Sequence, residues 1–127
     1  MAPAEQIPLD QFFSAHKPES RALSDVVRAH VEALGPAEMC VTKSQIAWKR
    51  RVAFAWAWIS SQYLGERDYF APLVLSVGLH RRDGSPRWKQ VVEPSPGRFI
   101  HHLELRDAGE IDAEVDEWLR EAWAEAE

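Results

Sequence analysis

Residues 52–59 read Val52-Ala53-Phe54-Ala55-Trp56-Ala57-Trp58-Ile59, and this stretch decides the fold. Large residues at Val52, Phe54, Trp56 and Trp58 alternate with alanine at 53, 55 and 57. A strand throws successive side chains to opposite faces, so a period of two makes one bulky aromatic face and one nearly flat face. A helix would scatter the same residues round its axis. The expectation is a central strand whose bulky face is core, with Phe54 and Trp56 under the helices. Its alanine face then lies open or touches something close.

The neighbouring segments extend this strand into a sheet. Met39–Thr42 and Gln45–Trp48 read as short strands with a turn at Lys43-Ser44. Ser60 to Phe70 reads as a polar loop. From Leu73 to Arg81, Leu73, Leu75, Val77 and Leu79 alternate against Val74, Ser76, Gly78 and His80. Asp83-Gly84 is a strong turn signal. Arg87–Glu93 reads as an edge strand, and Pro94-Ser95-Pro96-Gly97 as another turn. In Arg98–Leu105, Phe99, His101, Leu103 and Leu105 face one way and Ile100, His102 and Glu104 the other.

Two amphipathic helices bracket the strands. Pro18 to Leu34 carries the stripe Leu23, Val26, Val27, Val31 and Leu34, with the core-edge His30 on it, and stops at Gly35-Pro36. Glu110 to Ala126 carries Ile111, Val115, Trp118, Leu119, Ala122, Trp123 and Ala126. Its last turn holds Glu121 and Glu125, with Glu127 beyond, where the helix dipole disfavours negative charge, so that turn should fray. Residues 1–17 read as a loosely packed N-terminal segment pinned by Phe12 and Phe13. Short connections favour an antiparallel meander, and two helices on one sheet face make a two-layer α+β domain over residues 1–127. The other face would carry Ala53, Ala55, Ala57, Ser76, Gly78, His80, His102 and Glu104. Small residues there suit a shallow working groove, or a face sealed by the segment with Phe12 and Phe13.

A chain of 127 residues holds one hydrophobic core, and its 46% hydrophobic and 28% charged content is that of a globular protein. The single cysteine, Cys40, cannot form an internal disulfide, and no apolar run has signal-peptide or transmembrane character. The expectation is a cytoplasmic protein with no membrane partner. Charge is segregated. Residues 1–42 hold three Lys/Arg and six Asp/Glu, residues 43–98 hold ten and four, and residues 99–127 hold two and ten, giving balances of −3, +6 and −8.

That basic middle suggests a site. Lys43, Arg50, Arg51, Arg81 and Arg82 fall at strand ends, where they would form a positive rim for phosphate or another anion. Trp48, Trp58 and Trp88 interleave with the basic residues and suit stacking on bases. The ordinary reading of such charges is solvation and edge protection. His80, His102 and Glu104 share a predicted face and form a candidate transition-metal set, whereas His101 points away from His102. Asp112, Asp116, Glu117, Glu121 and Glu125 offer a carboxylate surface to iron, though a solvated helix face is the commoner meaning of such a run. Cys40 in an apolar strand reads as inert packing, and Ser44 and Ser76 lack an elbow-type glycine context. No cofactor motif is present.

Val41-Thr42-Lys43-Ser44-Gln45-Ile46-Ala47-Trp48-Lys49-Arg50-Arg51, Phe54-Ala55-Trp56, Pro72-Leu73-Val74-Leu75-Ser76, Arg98-Phe99-Ile100-His101-His102-Leu103 and Trp118-Leu119-Arg120-Glu121-Ala122 together resemble a bacterial domain-of-unknown-function family, number 5655 of its series. The resemblance runs from about Phe12 to Trp123 and implies no catalytic residue. In layout alone the chain is also distantly similar to small frataxin-like iron chaperones. The functional expectation is a non-catalytic binding module, using an open sheet face with a basic rim to hold an anionic ligand, a nucleic-acid backbone or a protein partner, a second copy included. A metal-handling protein is the alternative. A hydrolytic enzyme, with a pocket joining Lys43, Arg51 and a histidine, is third.

Overall fold

A computed structural model describes residues 5–60 and 70–127. The elements in chain order are α1 (Leu9–Phe13), α2 (Pro18–Leu34), β1 (Glu38–Val41), β2 (Ile46–Lys49), β3 (Ala53–Trp58), β4 (Leu73–Leu79), β5 (Gln90–Ser95), β6 (Arg98–Leu105), a 3-10 turn (Ala108–Glu110) and α3 (Ala113–Glu125). The polar loop read between Ser60 and Phe70 lies, from 61 to 69, outside the described residues. Among the described residues no helix is long and apolar enough to cross a membrane.

The α+β reading holds: a sheet of six antiparallel-paired strands carries helices on one face. The meander is correct only as far as β4. The order β1-β2-β3-β4-β6-β5 places β6 between β4 and β5. The hairpin turn at Pro96-Gly97 folds β6 back against β5, and β6 then takes the free edge of β4 through a longer register, Leu73↔Leu105 to Leu79↔Phe99. The β4–β5 connection therefore passes over β6.

The faces of β3 are the main correction. Ala55 and Ala57 are fully buried beneath the helices, and Trp56 and Trp58 are half-buried on the opposite face. Paired residues share a face, and Ala55 and Ala57 pair with Trp48 and Ile46 on one side and with Val77 and Leu75 on the other. Each alanine thus lies between large core residues, and its smallness lets α3 settle on β3 and β4. Phe54 reaches the core by a different device. Lys49 pairs with Ala53 and Trp48 with Ala55, so β3 carries one extra residue there. That bulge turns Phe54 and Ala55 toward the same buried side.

The N-terminal segment is better anchored than its composition implies. Phe12 and Phe13 are buried edge to face with ring centroids 4.9 Å apart, and the Ile7 amide donates to the Val41 carbonyl at 2.9 Å. His30 meets Asp116 at 3.0 Å and joins α2 to α3, as a satisfied core-edge histidine should. Helix α2 ends at Gly35, whose φ of +142° suits glycine, and a Cβ there would lie 2.6 Å from the Trp123 ring.

The end of α3 does not fray, because the β2–β3 turn supplies the missing positive charge. The Arg50 guanidinium stacks 3.8 Å from the Trp123 ring centroid and donates to the Trp123 carbonyl at 3.0 Å. The Arg51 amide donates to the Ala126 carbonyl at 2.9 Å, and its Nε to the Glu127 carbonyl at 3.1 Å. At the other end, the Asp112 side chain accepts from the Val115 amide at 3.1 Å.

Core residue His101 is fully buried against Trp88. Its Nε2 accepts from the Asp83 amide at 2.9 Å, so the ring proton sits on Nδ1, 3.2 Å from the Val77 carbonyl. Burial drives its pKa below the ordinary 6.5, against the pull of the Val77 carbonyl.

Two outcomes follow from this packing. Ala57→Leu should cost about 1–3 kcal/mol by overpacking, and Ala55→Glu should prevent folding, whereas Trp56→Ala should cost less than the ~3–5 kcal/mol of a fully buried aromatic; denaturant midpoints of the three variants measure this. The second outcome concerns pH. Below 6.5 the unfolded chain protonates His101 while the folded chain resists, so the unfolded state binds more protons and stability falls as pH falls. The thermal midpoint should drop from about pH 7 to 5, with a shallower drop in His101→Gln.

Candidate functional site

Among the described residues no helix covers the second sheet face, and this uncovered face is built from alternate residues of each strand. One cross-strand row runs Cys40, Ala47, Trp56, Ser76, His102, Gln90 from β1 to β5. Trp58, Val74 and Glu104 form the next row. Around the centre, Gln45, Trp56, Trp58, Ser76, Ile100 and His102 line a depression of about 350 Å³.

Its floor is a relay of three side chains from three strands. Trp58 Nε1 donates to Ser76 Oγ at 2.9 Å, and Ser76 Oγ lies 2.6 Å from His102 Nδ1. An indole N–H only donates, so Ser76 accepts there. Among the described residues Ser76 has no other acceptor for its own proton than His102 Nδ1. The hydroxyl therefore donates to Nδ1, and the neutral ring carries its proton on Nε2. Burial, with a smaller contribution from the neighbouring His101, holds the His102 pKa below 6.5 and keeps the ring neutral. Trp58 also stands edge to face against His102, centroids 5.7 Å apart. Ser76 itself is only 2% exposed, so it fixes its neighbours rather than meeting solvent.

Trp56 is seated differently. It lies over Gly78, where a Cβ would come within 3.3 Å of the indole ring. The Arg98 guanidinium stands 5.8 Å from the Trp56 ring centroid.

The expected basic rim is divided. Lys43 lies in the β1–β2 turn, at the opposite end of β2 from Arg50 and Arg51. Arg50 and Arg51 hold the end of α3. Arg81 grips Glu121 through two bonds of 2.8 and 2.9 Å and reaches Asp83 at 2.9 Å. Arg81 is pushed further up from its ordinary pKa by these hydrogen bonds, and Glu121 is pulled down by the same contact. Arg82 lies 5.7 Å from the Phe99 ring centroid. Four of the five thus share one end of the sheet without converging, and three of those are engaged with α3 or its end.

The metal set is not assembled. His102 and Glu104 share the uncovered face, but His80 sits beyond the end of β4, where its amide donates to the Glu125 carboxylate at 3.0 Å. His80 is four residues from Ser76, about 13 Å of strand. Glu104 pairs with Lys89 at 3.1 Å. On α3, Asp112 binds Arg87, Asp116 binds His30, Glu121 binds Arg81 and Glu125 binds His80. Among the described residues no three His, Cys, Asp or Glu are placed to hold a metal.

Of the tryptophans expected to meet bases, Trp48 and Trp88 are interior at 2% and 8% exposure, and Trp58 is on the uncovered face. Sequence reasoning put Ser76 and His102 on one face correctly. It missed their direct contact, and it read Trp56 as core rather than as a site residue, whereas Trp58 was among the tryptophans expected to stack on bases. The signal was available in the cross-strand pairing: β4 presents Leu75 and Val77 to the core, so the β3 residues beside them had to be core as well.

No curated protein and no solved structure matches the chain, so the layout likeness to frataxin-like chaperones gains no support. The family described as Domain of unknown function (DUF5655) matches residues 9–126, which include every strand, every helix and the Trp58–Ser76–His102 relay. The chain belongs to the DUF5655 family.

Proposed function

We propose that this chain is a non-catalytic binding module whose ligand lies in the depression between Trp56 and Trp58. The observation that carries the reading is the convergence of indole and aliphatic walls on a few fixed polar groups, the usual make-up of a small-ligand site. A volume of about 350 Å³ suits one ring or two fused rings. Such a ring meets the faces or edges of Trp56 and Trp58, each worth about 0.5–1.5 kcal/mol beyond area burial. At its edge, His102 Nε2–H donates and the Gln45 amide donates or accepts. The surrounding charge favours an anionic ligand. That charge comes from Arg98, Lys49 and Lys89 more than from Arg50, Arg51 and Arg81, which are occupied at α3.

The 2.6 Å contact of Ser76 with His102 supports hydrolysis as a second reading. Two features weigh against it. Ser76 is almost completely buried, and the backbone amides of central strands β4 and β6 are committed to the sheet ladder, so those two strands offer no pair of N–H groups to an oxyanion.

Amide and indole NMR spectra recorded with a panel of one- and two-ring heteroaromatic fragments test the reading. The indole N–H signals of Trp56 and Trp58 should shift, and the response should vanish in Trp56→Ala. Turnover of p-nitrophenyl acetate should be the same in the native protein and in Ser76→Ala. Silence across the fragment panel, or turnover that disappears with Ser76, would overturn the proposal.

A further inference from the structure

We infer that the ligand class is single-stranded nucleic acid, with successive bases on Trp56 and Trp58 and the backbone drawn in by the cations around them. This rests on the binding reading above and names its target.

Spacing is the first argument. Trp56 and Trp58 are two residues apart on one face of β3, about 6.6 Å along the strand. A stacked nucleic-acid strand rises only about 3.4 Å per nucleotide. Successive bases reach both indoles only when they are separated from each other, which a duplex forbids and a single strand allows. An uncovered sheet face with aromatic side chains on a central strand is a physical platform for such splayed bases. Ile100 adds apolar contact. His102 Nε2–H and the Gln45 amide meet base edges without demanding one particular base.

Charge is the second argument. Among the described residues on or beside the uncovered face, Lys49, Lys89, Arg98 and Arg106 stand against Glu38 and Glu104, a balance of +2 in a chain of −5. The acidic α3 lies on the other layer, with its arginine partners. Lys49 approaches from the β2 side and Lys89 from the β5 side, with Arg98 between them at Trp56. The ion pairs of Lys49 with Glu38 (3.3 Å) and Lys89 with Glu104 (3.1 Å) are solvent-exposed on the lysine side. Such pairs contribute little, so phosphate can displace the carboxylate.

Fluorescence anisotropy with 5′-labelled octamers tests this, using uridine and deoxyuridine octamers, a blunt 8-base-pair duplex, and uridine monophosphate as competitor. Either octamer, or both, should bind more tightly than the monophosphate and the duplex; preference for one sugar identifies RNA or DNA as the source. Three phosphate contacts should give a slope of log K against log salt of about −2. Trp56→Ala and Trp58→Ala should each weaken binding by about 5-fold or more. Arg98→Gln, a change at a half-buried position with a cooperative melt as its control, should make the slope shallower by about 0.7. Equal affinity for duplex and single strand would overturn the inference. If heteroaromatic fragments shift Trp56 and Trp58 while octamers bind no better than the monophosphate, the nucleic-acid inference fails and the binding-module reading stands. If neither fragments nor octamers bind, both fail.

Discussion

The size of Ala55 and Ala57 is the constraint on which the rest depends. Both are fully buried between larger residues of β2 and β4, directly under the helical layer. Central strands are flanked on two sides, so a large residue at either position would have to lift α3 from the sheet. Lifting it would expose the stripe of Val115, Trp118, Leu119 and Ala122, which is the main apolar surface of that helix. With the core side of β3 reserved for alanine, the strand's bulk has one other place to go. Trp56 and Trp58 therefore stand on the uncovered face because of a packing requirement beneath it, and the candidate site is made by the same alternation that makes the core.

Charge segregation along the chain has a parallel explanation. The basic middle and acidic end meet inside the fold: Arg50 and Arg51 at the end of α3, Arg81 on Glu121, and Arg87 on Asp112 and Glu114. Exposed pairs of this kind contribute between nothing and about 1 kcal/mol each, so they do not supply the stability that apolar burial supplies. They select one docking of α3 among those its apolar stripe would permit. Arg81 adds a link, because it also holds Asp83, whose carboxylate takes the Trp88 indole N–H while its amide donates to buried His101. The connection that carries the chain over β6 is fixed to both layers through that one turn.

Much of this was legible in the sequence. Helix α2 has the expected ends because Pro18 and Gly35-Pro36 are local signals, and the two faces of β4 and β6 follow from uninterrupted alternation. The faces of β3 were not legible from alternation alone. Phe54 shares the size of Trp56 but not its side, since the bulge opposite Trp48 and Lys49 reverses the pattern between them. The placement of β6 against β4 was also hidden, since it depends on a long register and on no turn residue. Trp48 and Trp88 looked like Trp58 in composition, and only burial separates them. The arginines at strand ends looked like a rim because the partners of Arg50, Arg51 and Arg81, on α3 or at its end, lie between 40 and 76 positions away in the chain.

The two walls of the depression differ in how they are held, and that difference bears on what a ligand must overcome. Trp58 is tied at its indole nitrogen to Ser76, which is tied in turn to His102, so strands β3, β4 and β6 each contribute one member. Each bond uses the single group able to make it, and the relay fixes one indole and one imidazole before any ligand arrives. Ordering cost that is met on folding is not met again on binding. Trp56 is held otherwise: it rests on Gly78. Glycine inside a central strand ordinarily weakens it, and here the close approach of the indole accounts for the residue. A side chain at 78 would raise Trp56 from its seat and change the spacing between the two walls. The site thus combines a wall fixed by hydrogen bonds with a wall fixed by the absence of a side chain, and both depend on β4 keeping Ser76 and Gly78 on the same face.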